Sequence, residues 1–125
     1  MSLASVLDTA LDRTVVIGYT KAGSALRRSS WPADPAPDAL AGKRVLVTGA
    51  TSGIGEAMAR SFADLGAIVH VLGRNATKLA GVAADLRRYA PAAEVVEEVC
   101  DVTDLDAVRT WATDFLRRVD ALHGL

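Results

Sequence analysis

Beyond residue 42 the sequence alternates short, solidly apolar runs with longer segments whose apolar residues recur every three or four positions. That alternation narrows the fold more than any other feature of the chain. The runs 43–48 (Val45, Leu46, Val47) and 68–72 suit strands buried on both faces, and 94–100 reads as a third strand. The segment 54–65 has helical spacing through Ile54, Ala57, Met58, Ser61, Phe62 and Leu65, and Gly66 ends it as a C-cap. The spacing predicts a second helix over 76–89, through Leu79, Val82, Ala83 and Leu86, stopped by Pro91. A third is predicted over 104–119, where Leu105, Val108, Trp111, Ala112, Phe115, Leu116 and Val119 share a face; Thr103 or Asp104 caps it. Residues 122–125 read as the start of a fourth strand.

The order β-α-β-α-β-α-β implies a parallel sheet with helices on both faces. It is the first mononucleotide-binding half of an α/β, Rossmann-type doubly wound sheet, and the second half is absent from these 125 residues. Three parts are expected: an N-terminal helical segment at 1–28, a Pro-rich linker at 29–42, and a truncated dinucleotide-binding half-domain at 43–125. The apolar stripe of the first part is Leu3, Val6, Leu7, Ala10, Leu11, Thr14 and Val15, with Gly18 and Gly23 weakening the helix. Ser29, Ser30, Pro32, Pro35 and Pro37 rule out a helix or central strand in the linker.

Bulk properties exclude several functions. Half the residues are hydrophobic, so global disorder is ruled out. A net charge of −1 offers no field for nucleic acid, and the pairs Arg27–Arg28, Arg87–Arg88 and Arg117–Arg118 read as solvated helix faces. Cys100 is the only cysteine, so no internal disulfide forms; it reads as a buried, inert strand thiol. No metal-ligand cluster accompanies it. There is no basic n-region followed by an apolar block, and no apolar run approaches the ~20 residues that span a bilayer. A cytoplasmic location is expected. The stripe at 3–28 leaves two options: docking on the remaining domain, or peripheral contact with a membrane surface.

The chemistry sits at Thr48-Gly49-Ala50-Thr51-Ser52-Gly53-Ile54-Gly55, between a strand and a helix. One glycine lets the backbone turn sharply, another lets a pyrophosphate approach, and the last lets the helix pack closely. The helix start near Gly53 offers free N–H groups and the positive end of its dipole to an anion.

This run resembles the T-G-x-x-x-G-I-G cofactor motif of the compact short-chain dehydrogenases/reductases. The resemblance continues through His70-Val71-Leu72-Gly73-Arg74-Asn75, Cys100-Asp101-Val102-Thr103 and Leu122-His123-Gly124-Leu125, covering about residues 43–125. The segment Gly18-Tyr19-Thr20-Lys21-Ala22-Gly23 is similar to the leader of a retinol-dehydrogenase-like branch. The resemblance implies a nicotinamide cofactor held by Thr48, Gly49, Thr51, Ser52, Gly53, Ile54 and Gly55. It further implies that Asp101 accepts a hydrogen bond from the adenine amino group and that Val102 packs beside the ring.

NAD-binding units place an acid at the end of the second strand. Here Gly73-Arg74-Asn75 stands instead, so NADP(H) is expected over NAD(H), with Arg74 and Asn75 among the cofactor-binding residues and Arg74 pairing to the 2′-phosphate. Lys78 reads as a solvated bystander. His70 and His123 read as non-catalytic, and Trp111 as a core residue.

Family members move hydride between the cofactor and a carbonyl or alcohol, and the resemblance implies a catalytic Tyr-x-x-x-Lys. Tyr19 is followed four positions later by Gly23, and Tyr89 by Ala93, so no catalytic residue is assigned. The expected function is the NADP(H)-binding portion of an oxidoreductase, with a small-molecule carbonyl or alcohol substrate once a C-terminal half completes it. The alternative is a non-catalytic NADP(H)-binding pseudoenzyme or scaffolding half-domain. A methyltransferase of similar fold would need an acid where Gly73-Arg74 stands. An unpaired parallel edge is expected to make the isolated chain oligomeric or aggregation-prone.

Overall fold

The computed structural model describes residues 6, 9, 10, 20–28 and 31–125. The chain divides into two compact units, Met1–Asp34 and Pro35–Leu125. In the first, residues 6, 9 and 10 are helical, and helix α1 spans Lys21–Arg28, running through Gly23 without a break. The rest of the expected stripe at 3–28, and Gly18 and Tyr19 of the 18–23 leader, lie outside the described residues.

In the second unit the order is β1 (Arg44–Thr48), α2 (Gly53–Asp64), β2 (Ile68–Gly73), α3 (Ala76–Tyr89), β3 (Val95–Val99) and α4 (Leu105–Arg118). All three strands are parallel, in the order β1-β2-β3. Val45 pairs with Val69 and Val69 with Val95, while Thr48 pairs with Leu72 and Leu72 with Glu98. Side chains alternate across a strand, so each strand feeds two cores. Val45, Val47, Val69, Val71 and Val95 pack with Ala59 and Ala63 of α2 and with Leu79, Ala83 and Leu86 of α3. Leu46, Leu72 and Cys100 face the opposite way, onto Ala107, Val108 and Trp111 of α4. Strands covered on both faces read as unbroken apolar runs, which is why 43–48 and 68–72 are legible in the sequence.

Local chemistry ends each helix where the sequence places the signal. Gly66 takes φ +79°, its N–H reaches the Ala63 carbonyl, and the Ala67 N–H reaches Phe62. That pair of bonds is a Schellman cap. Asn75 accepts from the Lys78 N–H at 2.9 Å and caps α3. Asp104, rather than Thr103, caps α4, accepting from the N–H groups of Asp106 and Ala107.

The segment after α4 turns back to β1. His123 donates its N–H to the Arg44 carbonyl at 2.8 Å, and Leu46 donates to Gly124 at 3.0 Å. Val45 and Gly124 form a parallel bridge, so the start of a fourth strand lies beside β1, opposite β2. The His123 ring takes part as well, its Nδ1 accepting from the Arg44 N–H at 3.0 Å.

Three expectations change. Leu105 and Leu116, assigned to the core face of α4, are 67% and 74% exposed. Phe115 and Val119 carry the burial there, and Leu116 is turned by about 100° from Phe115 on the helix. Arg118 is not merely solvated: its guanidinium forks onto the Glu98 carboxylate, Nη2 to Oε2 at 2.9 Å and Nη1 to Oε1 at 3.3 Å. His70 is buried and only half satisfied. Its Nδ1 lies 3.0 Å from Glu98 Oε1, whereas its Nε2 has no partner among the described residues.

Glu98 is 2% exposed and also accepts from the Trp111 indole N–H at 2.9 Å. Burial pushes its carboxyl up, but hydrogen bonds from Arg118, Trp111 and His70 outweigh that and hold it below the usual range. An ionised carboxylate only accepts, so His70 Nδ1 carries the proton it donates.

Replacing Leu79, which is fully buried, with Ala should cost about 2–5 kcal/mol in urea unfolding. The pH dependence of stability should report Glu98. Its folded pKa lies below its unfolded one, so its contribution is complete above the ordinary carboxylate value of 4.5. That contribution disappears as pH falls through the folded value. Glu98→Gln should flatten the acid limb in urea midpoints measured from pH 7 downwards, and an unchanged limb would contradict this.

Candidate functional site

The carboxyl ends of the three strands open onto one side of the sheet, where ligands of open α/β sheets bind. The loops after β1, β2 and β3 converge there. Gly49 and Thr51, Leu72 to Arg74, and Cys100 to Thr103 line a single cavity of about 250 Å³.

The turn between β1 and α2 depends on its glycines in two ways. Gly49 and Gly53 adopt φ of +64° and +56°, a region that costs other residues energy. Gly55 has ordinary φ but no room: a Cβ there would lie 2.4 Å from the Gly49 carbonyl oxygen and 2.8 Å from its carbon. Helix α2 therefore starts pressed against the first residue of the turn. Ser52 holds the N-cap position in extended geometry, yet its hydroxyl makes no capping bond. The first amides of a helix have no carbonyl within the helix to bond. Those of α2 thus stay available at a dipole end that favours anions. Ile54, expected to begin the apolar face, is 80% exposed at this rim, and Thr48 is exposed at the end of β1.

At the second loop, Gly73 brings the backbone close to Thr51: a Cβ would lie 3.2 Å from the Thr51 methyl. Arg74 follows, exposed and on the cavity wall, while Asn75 is committed to capping α3. Lys78 is exposed and does not line the cavity.

At the third loop, Asp101 Oδ1 accepts from the Thr103 N–H at 3.0 Å and its hydroxyl at 2.8 Å. The bond from the Thr103 backbone, then that from its side chain, then the Arg74 charge hold the Asp101 carboxyl below the usual range. Asp101 therefore presents an ionised acceptor at neutral pH. Val102 is 56% exposed at the rim. Cys100 is buried, and burial pushes its thiol up, so it stays protonated and unreactive.

The structure thus brings Gly49, Thr51, Arg74, Asp101 and Val102 around one cavity, while Thr48, Ser52, Gly53, Ile54 and Gly55 stand outside its lining. It places Asn75 at the N-cap of α3, outside the lining of that cavity. Sequence reasoning passed over Glu98; the available signal was a pair of acids, Glu97 and Glu98, inside an otherwise apolar strand beside a strand containing His70.

The chain matches the family model for short chain dehydrogenase over residues 43–125. Short chain dehydrogenase rstn4 of Aspergillus nomiae is 41% identical over 99 residues, covering 77% of this chain and 25% of that protein. Human retinol dehydrogenase 12 is 35% identical over 86 residues, covering 69% and 27%. Among solved structures, a citronellol catabolism dehydrogenase of Pseudomonas aeruginosa superposes with a TM-score of 0.66 at 31% identity, covering 74% of this chain and 38% of that one. A metagenomic short-chain oxidoreductase in complex with NADP gives 0.62 at 35% identity, covering 69% and 38%. This chain belongs to the short-chain dehydrogenase family. It spans about a quarter of the length of the curated relatives it matches. No helix among the described residues is long and apolar enough to cross a membrane.

Gly55→Ala should destabilise the chain by about 1–3 kcal/mol, because backbone rather than a flexible side chain meets the new methyl. Gly81 lies inside α3 with open space around it, so Gly81→Ala should stabilise by about 0.5–1 kcal/mol. Urea midpoints of the two variants should shift in opposite directions.

Proposed function

We propose that residues 43–125 bind NADP(H) in preference to NAD(H) and form the cofactor portion of a dehydrogenase/reductase acting on a carbonyl or alcohol. The observation that carries this is the pairing of a glycine cradle with a cation, Arg74, at the end of β2 where NAD-binding units need an acid. The cradle suits a pyrophosphate: Gly49 and Gly53 expose backbone, a Cβ at either would occupy open space, and α2 directs its first amides there.

Gly49, Thr51, Ser52, Gly53, Ile54 and Gly55, with Thr48 behind them, would hold the phosphates. Arg74 would pair with the 2′-phosphate through its planar fork of donors. No acid stands beside it on that loop to repel the phosphate. Asp101 would accept the adenine amino group, and the exposed Val102 would cover the ring. The bound cofactor supplies the hydride that is exchanged with the substrate. Two structural neighbours described as NADP complexes support this cofactor choice. The groups that protonate the substrate oxygen and shape its pocket are assigned to a C-terminal half of the whole protein.

Isothermal titration of the chain with NADPH and NADH tests the reading. A charge-assisted hydrogen bond contributes about 1.5–3 kcal/mol, so Arg74→Ala should weaken NADPH by about ten- to a hundredfold and leave NADH nearly unchanged. Equal losses for both cofactors would refute the role of Arg74.

A further inference from the structure

The geometry points to Glu98 as a positioning residue for the adenine end of the cofactor, acting through α4 and the Asp101 turn; this rests on the cofactor reading above. The turn 100–103 is suspended between β3 and α4. Its first end is fixed to the sheet: the Cys100 N–H reaches the Gly73 carbonyl at 3.1 Å, and Cys100 packs with Leu46 and Leu72. Its other end is fixed to the helix. The Asp104 N–H reaches the Asp101 carbonyl at 3.1 Å, and the same Asp104 caps α4. Where Asp101 points therefore depends on where α4 lies along β3.

Apolar contacts bring α4 to the sheet, but they are non-directional and tolerate sliding. Hydrogen bonds are directional, and one carboxylate concentrates them here. Glu98 stands two residues before Cys100. It gathers Trp111 Nε1 and the Arg118 fork from α4, and His70 Nδ1 from β2. Trp111 also packs against the cluster containing Cys100, so the node and the start of the turn share a side chain. Among the described residues, the titratable groups facing Glu98 are His70 from β2 and Arg118 from α4. Arg118 is steadied in turn by Asp114 at 2.8 Å. Trp111 and Arg118, donating from two positions of α4 to one buried carboxylate of β3, fix the register of α4, and with it the direction of the Asp101 acceptor.

The test compares NADPH with its hypoxanthine analogue, whose base carries an oxygen in place of the 6-amino group. Kd for both is measured by calorimetry on the full chain and on Glu98→Gln and Trp111→Phe, with thermal melts to confirm folding. Wild type should prefer NADPH by about tenfold, the effect of one hydrogen bond to a charged group. Both variants should lose that preference, to about twofold or less, through weaker NADPH binding alone. Their affinity for the analogue should hold.

A merely structural role would lower the melting temperature and leave the ratio intact, and an intact ratio in folded variants overturns the proposal. Should Glu98→Gln not fold, Trp111→Phe decides, because it removes one N–H and keeps an aromatic ring against Phe115. Wild type with no adenine preference, or no binding, would instead overturn the reading of Asp101, and this proposal with it.

Discussion

The backbone at the start of α2 approaches the end of β1 so closely that Gly55 cannot carry a Cβ, and the architecture of the unit follows from that contact. It aims the first turn of α2 across the carboxyl edge of the sheet. It also sets the helix down on Val45 and Val47, so that Ala59 and Ala63 meet the strands with no larger side chain between them. A helix held farther out would leave a void in that core and move its free amides away from Gly73 and Asp101. The packing of α2 and the aim of its first amides thus place the same demand on one residue.

The cavity beside this turn is electrically mixed. Arg74 is exposed on the cavity wall, while Asp101 is held ionised first by Thr103 and then by Arg74 itself. Cation and carboxylate come from different loops and share one cavity because β2 pairs in parallel with β3. An adenosine with a phosphate on its ribose presents a donor and an anion with matching signs. Behind this surface, on the α4 side of the sheet, Glu98 ties a strand, a helix and a neighbouring strand through a single buried charge. Removing one partner of such a group costs far more than adding another apolar contact would contribute.

Much of this was legible in the sequence because it rests on local chemistry. The ends of α3 coincide with the periodic segment 76–89, since Asn75 and Pro91 bracket it with side-chain and backbone rules that act within a turn. The glycine turn was legible because only glycine meets its steric demands. What the sequence hid was tertiary. Helical spacing placed Leu105 and Leu116 among core residues, but whether a stripe's margin is covered depends on neighbours that periodicity does not see. Arg118 looked like half of a solvated pair, and Glu98 like one acid among fifteen, until the fold brought them within hydrogen-bonding distance. In the site, Asn75 followed the motif into the cofactor set, yet its carbonyl is spent on the Lys78 amide.

The central claim is that three loops at the carboxyl edge act as one cofactor surface. Amide chemical shifts of the ¹⁵N-labelled chain, followed as NADPH is added, test it most directly. Saturating shifts are expected at residues 49–55, 73–75 and 100–103 with one common Kd, and little change at Leu40, Phe62 or His123, which line a separate apolar groove. Shifts confined to that groove, or three loops titrating with different constants, would contradict it.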